Sequence, residues 1–418
     1  MKASSRSVRT AALIGAAALA LAAAGCGHSN PTAPTPLPPL SAVHIAPKTD
    51  TLVVGQFFRF SATAIDTAGA PVPNATFTWV SSNPSLFSVD AFGEVHARLE
   101  GSGILRASAG GHTDSAAVSV IVQTGWYTQV SNISTDLNAV FFQSDGRTGW
   151  AVGNGGRIIA TTDAGNTWAS QVSNTSFNLN AVFFTSAGSG WAAGTGGIIL
   201  HTVDGGTTWT QTVSNASENL LDAYFATPDT GWVVGSGGVI LRTFDQGQSW
   251  QRQTPTGFIL RSVAFSGTQD GWAVGDGGTI LGTHDRGLTW YPVQPSITAL
   301  SLHAVWRRPG DLAWACGVNG VTGRTGGVAD TSWALGNAGA SFTLEGLYYP
   351  SDLIGYAVGY NSGGTGVVLR TDDGGMTWQS QMVNTQFRLK DVFFTDPSTG
   401  WAVGRNGLVV HTSTGGLP

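Results

Sequence analysis

Five octapeptides in this chain obey one rule. Thr161–Trp168 reads TTDAGNTW, Thr202–Trp209 TVDGGTTW, Thr243–Trp250 TFDQGQSW, Thr283–Trp290 THDRGLTW and Thr371–Trp378 TDDGGMTW. The pattern T-x-D-x-G-x-[ST]-W is a turn with a physical cause. An Asp carboxylate accepts hydrogen bonds from the backbone just after it, Gly adopts dihedrals that other residues avoid, and Thr or Ser opens the next strand. The Trp then packs as a plug between neighbouring units. A second marker, of the form G-W-A-V-G, is centred on Trp150, Trp191, Trp232, Trp272, Trp314, Tyr356 and Trp401, in steps of 41, 41, 40, 42, 42 and 45 residues. A third, an apolar run, opens before each of these at Leu137, Leu179, Leu221, Leu260, Leu302, Leu344 and Leu389. Such a period defines a repeat architecture, here of seven units.

Each unit holds four short strands separated by Gly-rich turns. The first runs through Leu137–Phe142 (a), Trp150–Gly153 (b), Ile158–Thr161 (c) and Trp168–Val172 (d). Four short strands every forty-odd residues predict the blade of a β-propeller. Of 15 Trp residues, 13 fall on the two repeat positions, leaving only Trp79 and Trp306 outside, so the aromatic content belongs to the repeat. The ends complete each other. The seventh unit stops at His411–Gly416 without its Trp, and Thr124–Val130 reads as the missing half followed by a d strand. The N-terminal piece is therefore expected to close the last blade, which removes the exposed sheet edges. The fifth unit has no Asp in register before Trp333, so it is expected to keep its strands and lose the tidy turn.

Ahead of the propeller, expected over residues 124–418, lie three shorter segments. Residues 1–25 carry Lys2, Arg6 and Arg9 and then an apolar run, Ala11–Ala24, too short for a spanning helix with proper flanks. That composition predicts an export signal. Its end, Leu21-Ala22-Ala23-Ala24-Gly25-Cys26, resembles a bacterial lipobox, with Ala23 where the family version usually has Leu. The resemblance implies lipidation of Cys26, and Gly27 in place of Asp implies outer-membrane anchoring in a Gram-negative cell. Residues 26–40 hold five Pro between Ser29 and Leu40, a stiff extended spacer. Residues 41–123 show short β-rich runs between turn clusters, which suggests an antiparallel sandwich. Their stretch Thr78–Asp90 (TWVSSNPSLFSVD), continued by Gly93–Ala97, resembles the group 2 bacterial Ig-like domain, with Trp79 as the core tryptophan and a spacer role implied. The fold class expected is all-β, a seven-bladed propeller with an N-terminal Ig-like sandwich.

Composition narrows the function. Only 11% of residues are charged and 58 are Gly, so stability must come from aromatic packing between blades. A net charge of −5 gives no basic stripe for nucleic acid. With Cys26 lipidated, Cys316 has no partner and reads as a buried small hydrophobe. No G-x-S-x-G elbow, Walker loop or H-E-x-x-H motif occurs, and the eight His lie outside metal-ligand spacing, so neither metal nor cofactor is expected. The G-x-G-G pieces are b-to-c turns with no helix after them, unlike a dinucleotide loop.

The repeats resemble the Asp-box, or bacterial neuraminidase repeat, propellers. The combination of L-x-x-V-x-F, G-W-A-V-G-x-G-G and T-x-D-x-G-x-T-W resembles most the photosystem II stability and assembly factor family, across all seven units. That resemblance implies a non-catalytic assembly factor that holds a membrane-protein precursor; the lipobox and Ig-like segment depart from its thylakoid members. Asp-box propellers also include sialidases, so a carbohydrate-binding or glycan-cleaving propeller is the alternative, with a glycan as partner. A sialidase needs an arginine triad and an early Arg-Ile-Pro motif, and neither appears. The box aspartates Asp163, Asp204, Asp245, Asp285 and Asp373 are expected to be structural, committed to their own turns.

Binding is then the expected role, and strand order says where. The a-to-b loops and the boxes share one face; the d-to-a and b-to-c loops share the other. The residues following each opening Leu, namely Asn138, Asn180, Asp222, Arg261, His303, Glu345 and Lys390, are expected at that second face near the central channel. Arg388, Lys390 and Arg405 cluster there in the seventh unit, three cations suited to an acidic or carboxylate-bearing protein partner. Two carboxyl groups facing each other across the channel mouth among exposed aromatics would instead mark a sugar site.

Overall fold

The computed structural model describes residues 39–293, 296–308, 312–325 and 332–418. The expected export signal, Cys26 and nearly all of the Pro-rich spacer lie outside them.

From Tyr127 onward the chain forms seven four-stranded antiparallel sheets. The first contains Leu137–Phe142, Gly149–Gly153, Arg157–Thr161 and Ala169–Gln171 as strands a to d. The same order repeats through six sheets, and the last is assembled from both ends of the chain. There, Tyr127–Gln129 pairs with Val409–Thr412, Tyr127 opposite His411 and Gln129 opposite Val409. Innermost strands of consecutive blades touch around the whole circle, with Leu389–Phe394 of blade 7 against Leu137–Phe142 of blade 1. The half-units at the two ends do complete one blade.

Between blades the core is aromatic. Trp401 of blade 7 stacks on Phe142 of blade 1 at 3.7 Å and 12°, and Trp168 meets the same ring edge-on at 5.9 Å. This triplet recurs as Trp150–Phe184–Trp209, Trp191–Phe225–Trp250 and Trp232–Phe265–Trp290. A buried Trp takes about 200 Å² from water, on the order of 5 kcal/mol at ~25 cal/mol per Å². The Gly before each b-strand Trp follows from this packing: a Cβ on Gly149 would lie 2.5 Å from the Phe142 ring. Blade 5 breaks the pattern. Arg307 takes the Phe position and is buried, and Trp272 meets Trp333 directly, edge-on at 5.4 Å.

Four of the b-strand Trp residues, Trp150, Trp232, Trp314 and Trp401, also tie their blade to the next turn. Trp150 Nε1 donates to Gly205 O at 3.0 Å, Trp314 to Gly374 O at 2.9 Å and Trp401 to Ala164 O at 3.1 Å. Trp191 and Trp272 find no acceptor among the described residues.

Residues 40–121 form three further sheets around one core that includes Phe60, Phe87, Val95, Leu105 and Val118. Trp79, expected at its centre, is half-buried at its edge. This N-terminal β-domain meets the propeller through Arg147, in the a-to-b loop of blade 1. The Arg147 guanidinium donates to Glu94 Oε1 at 2.7 Å and lies 3.7 Å over the Phe57 ring.

Candidate functional site

The box turns leave no carboxylate to spare. In blade 1 the Thr161 hydroxyl donates to Asp163 Oδ1 at 2.8 Å and accepts the Gly165 amide at 2.9 Å. Asp163 Oδ1 also accepts the Thr167 amide, and Oδ2 accepts the Thr167 hydroxyl at 2.6 Å. Asp204, Asp245, Asp285 and Asp373 make the same bonds to Thr208, Ser249, Thr289 and Thr377. Bonding to the Thr377 hydroxyl and amide pulls the Asp373 carboxyl down to about 2. Each box is bonded to the a-to-b loop of its own blade, as Ala164 N is to Arg147 O, so boxes and a-to-b loops share a face.

The opposite face is made by d-to-a loops clamped to b-to-c turns. Asn154 N donates to Asp136 O, and Thr195 N to Asn178 O. Gly156, at φ 70°, lets the turn lie against Thr175 O, which a Cβ would approach to 2.0 Å. At the centre of this face a depression of about 290 Å³ is lined by Asn138, Asn180, Leu221, Arg261, His303, Glu345 and Lys390. Tyr360, Arg388 and Arg405 extend it on one side.

Eight of the nine expected face residues therefore converge on one mouth. Asp222 does not. In blade 3 the strand opens at Leu220, which is fully buried, and pairs with Gly235, so Leu221 holds the mouth position. Two adjacent leucines left the register open by one, and burial of the first settles it.

Around the mouth most polar groups are engaged. Lys390 Nζ donates to Asn138 Oδ1 at 2.7 Å and Asp136 Oδ2 at 3.1 Å. Asn138 Nδ2 donates to Leu179 O, and Asn180 Nδ2 to Leu220 O, linking blades 1 to 3. Arg261 pairs with Asp276 at 2.5 Å, and His303 Nδ1 lies 3.1 Å from Glu345 Oε2. Blade 7 keeps a surplus of positive charge. Arg388 lies 3.9 Å over the Tyr360 ring, Arg405 is exposed, and Asp136 is the carboxylate that Arg405 shares with Lys390. Burial raises the Asp136 carboxyl, but the Asn406 amide, Lys390 and the Arg405 charge outweigh it and hold it below the usual range.

Beneath the mouth the seven inner strands enclose a cavity of about 370 Å³. Each strand a has one edge without a neighbouring strand, so amides facing the channel need acceptors. Asp391 Oδ2 accepts Val140 N of blade 1 at 2.9 Å. Asp222 Oδ2 accepts Val263 N at 2.9 Å and the Ser262 hydroxyl at 2.7 Å. Burial pushes the Asp222 carboxyl up to about 6 and that of Asp391 to about 7, the latter raised further by Asp222. Deeper still the wall is aromatic: Phe141, Phe183, Tyr224, Trp306, Tyr348 and Phe393 occupy equivalent places, with Ala264 in blade 4. Neighbouring rings lie 4.0 to 5.1 Å apart, as Trp306–Tyr348 and Phe141–Phe183 show. The fifth residue of strand a, aromatic in six units of seven, carried this signal in the sequence.

Residues 118–217, and again 210–299, match the family described as Photosynthesis system II assembly factor YCF48. The chain carries a YCF48-like β-propeller. A solved structure of YCF48 bound to D1 peptide is 23% identical, covers 70% of this chain and 96% of its own, and has a TM-score of 0.59. YCF48 from Cyanidioschyzon merolae is 21% identical over 69% of this chain and 98% of its own, with a TM-score of 0.57. The WD40 propeller domain of Doa1 is 12% identical over 70% of this chain and 97% of its own, with a TM-score of 0.55, so the shape extends beyond YCF48-like sequences. No curated protein matches the chain. Among the described residues, no helix is long and apolar enough to cross a membrane, and no group of three His, Cys, Asp or Glu could hold a metal ion.

Proposed function

We propose that this chain is a non-catalytic scaffold that captures a peptide segment of a partner protein across the mouth opposite the Asp boxes. The observation that carries the reading is the basic edge of blade 7, where Arg388, Lys390 and Arg405 outnumber Asp136 on an otherwise paired, polar surface. A surplus of cations in a chain this poor in charge suits an acidic or carboxylate-bearing segment. A similar propeller is known bound to D1 peptide, which supports a protein client. The client assigned here is an exported or membrane protein during assembly, and the scaffold is held at the envelope by a lipid on Cys26.

A glycan site is the second reading, favoured by Asp222 and Asp391 among aromatics. Those carboxylates accept backbone amides inside the channel, below the mouth, which leaves neither placed as a nucleophile. Fluorescence anisotropy with labelled D1 peptide tests the protein reading. Arg388→Glu with Arg405→Glu should weaken binding about a hundredfold and leave the melting temperature unchanged. Unchanged affinity removes the site. Cys26→Ala should shift the protein from membrane to soluble fractions; retention in the membrane removes the anchor.

A further inference from the structure

We propose that the channel beneath the mouth binds an alkylammonium ion, its ammonium group caged by the aromatic ring and drawn there by the carboxylates of Asp222 and Asp391. This goes beyond peptide capture and uses a different part of the molecule. The cavity, about 370 Å³, falls within the range of small-ligand sites. Its two carboxylates project from blades 3 and 7, on nearly opposite sides of the ring, and their partners are backbone amides and the Ser262 hydroxyl. Among the described residues neither has a cationic partner. Of the cations lining the entrance, Arg261 pairs with Asp276 and Lys390 with Asp136, while Arg388 and Arg405 stand to the blade 7 side. An entering cation would thus supply a counter-charge that the fold itself withholds.

The aromatic ring selects the kind of cation. Electron-rich ring faces attract weakly hydrated organic cations, and several rings around one volume form the cage that suits ammonium groups. Among the described residues the Tyr224 and Tyr348 hydroxyls have no hydrogen-bond partner, which suits them to a ligand or to water. Between the carboxylates and the rings the wall is Val140, Val182, Val263, Val305 and Val392, which offers a neutral sugar few side-chain bonds. The two carboxylates repel an anion. Raised carboxyl pKa values follow from the same missing counter-charge: burial disfavours the ionised form.

The test is isothermal titration of the full chain with choline and with its neutral carbon isostere, 3,3-dimethylbutan-1-ol. Choline should saturate one site at least about tenfold more tightly than the alcohol. Its affinity should fall at least about tenfold from about pH 8 to about pH 5, as Asp222 and Asp391 take up protons. Arg261, His303, Glu345 and Lys390 also line the channel; burial raises the Glu345 carboxyl, but His303, Arg261 and Lys390 outweigh it and hold it below its ordinary value. Asp391→Asn and, separately, Tyr348→Leu should weaken choline and spare the alcohol. The wild-type comparison stands even where a variant fails to fold. Equal affinity for both compounds, no saturation, an affinity indifferent to pH, or preference for a neutral sugar such as maltose overturns the proposal. D1 peptide binding is read on the same protein, so loss of choline binding with peptide binding intact refutes this site alone.

Discussion

Replacing Thr283 by Val isolates what a box turn contributes. The two side chains have the same shape, and Thr283 is 1% exposed, so the change deletes a hydroxyl without opening a cavity. That hydroxyl donates to Asp285 Oδ1 at 2.8 Å and accepts the Gly287 amide at 2.9 Å. A buried amide left without an acceptor costs about 1–3 kcal/mol, and a hydrogen bond to a charged group contributes about 1.5–3. The added methyl returns about 1 kcal/mol through burial, which leaves a net loss of about 1.5–5. Thr412 is the internal control. It accepts Gly416 N at 2.8 Å and Thr414 N at 3.2 Å but has no carboxylate to donate to, so Thr412→Val should cost about half as much. Urea unfolding followed by Trp fluorescence reads the propeller selectively, because every Trp except Trp79 lies in it. A Thr283→Val midpoint equal to wild type, or a larger loss for Thr412→Val, would refute the view that the box carboxylate locks the turn.

Other consequences follow from the channel and the packing. Asp391 has its folded pKa raised to about 7 from an ordinary value of 3.8, so its native form holds a proton that the unfolded chain releases. Its contribution is therefore greatest at low pH and is lost as pH rises through 7; Asp391→Asn should remove about 2–3 kcal/mol of the stability difference between about pH 5 and pH 8. An identical pH profile in the variant would show that the carboxyl titrates normally. Gly153→Ala would put a Cβ 2.0 Å from Asp136 O and should cost at least about 3 kcal/mol in unfolding measurements; wild-type stability would mean that the d-to-a loop can move aside. Arg147→Ala removes both the Glu94 pair and the Phe57 contact. Hydrogen exchange should quicken in residues 57–59 and 94–97 and stay unchanged in blades 3 to 5, whereas unchanged exchange throughout would remove Arg147 as the joint.

Much of this architecture was legible because period and chemistry agreed. The Trp spacing gave the blades, and the half-units at Thr124 and His411 gave the closing strand. The mouth was legible where one Leu marked the opening of strand a, as at Leu137 or Leu389. It failed at Leu220-Leu221, where two leucines compete and burial, which a sequence does not display, chooses the first. The channel was missed for a related reason. Asp222 and Asp391 appear in sequence as ordinary polar residues inside a strand, and their role depends on amides contributed by another blade. Arg307 is in sequence one more cation after an aromatic residue, and only burial reveals it as the substitute for a stacked Phe.

Hydrogen exchange of the full chain, alone and saturated with D1 peptide, tests the central claim most directly. The account predicts slower exchange in the d-to-a and b-to-c loops of the mouth, above all residues 386–390 and 405–407. The box turns at 161–168, 202–209 and 283–290 should not change. Protection centred on those boxes, with the mouth loops unaffected while peptide is bound, would contradict it.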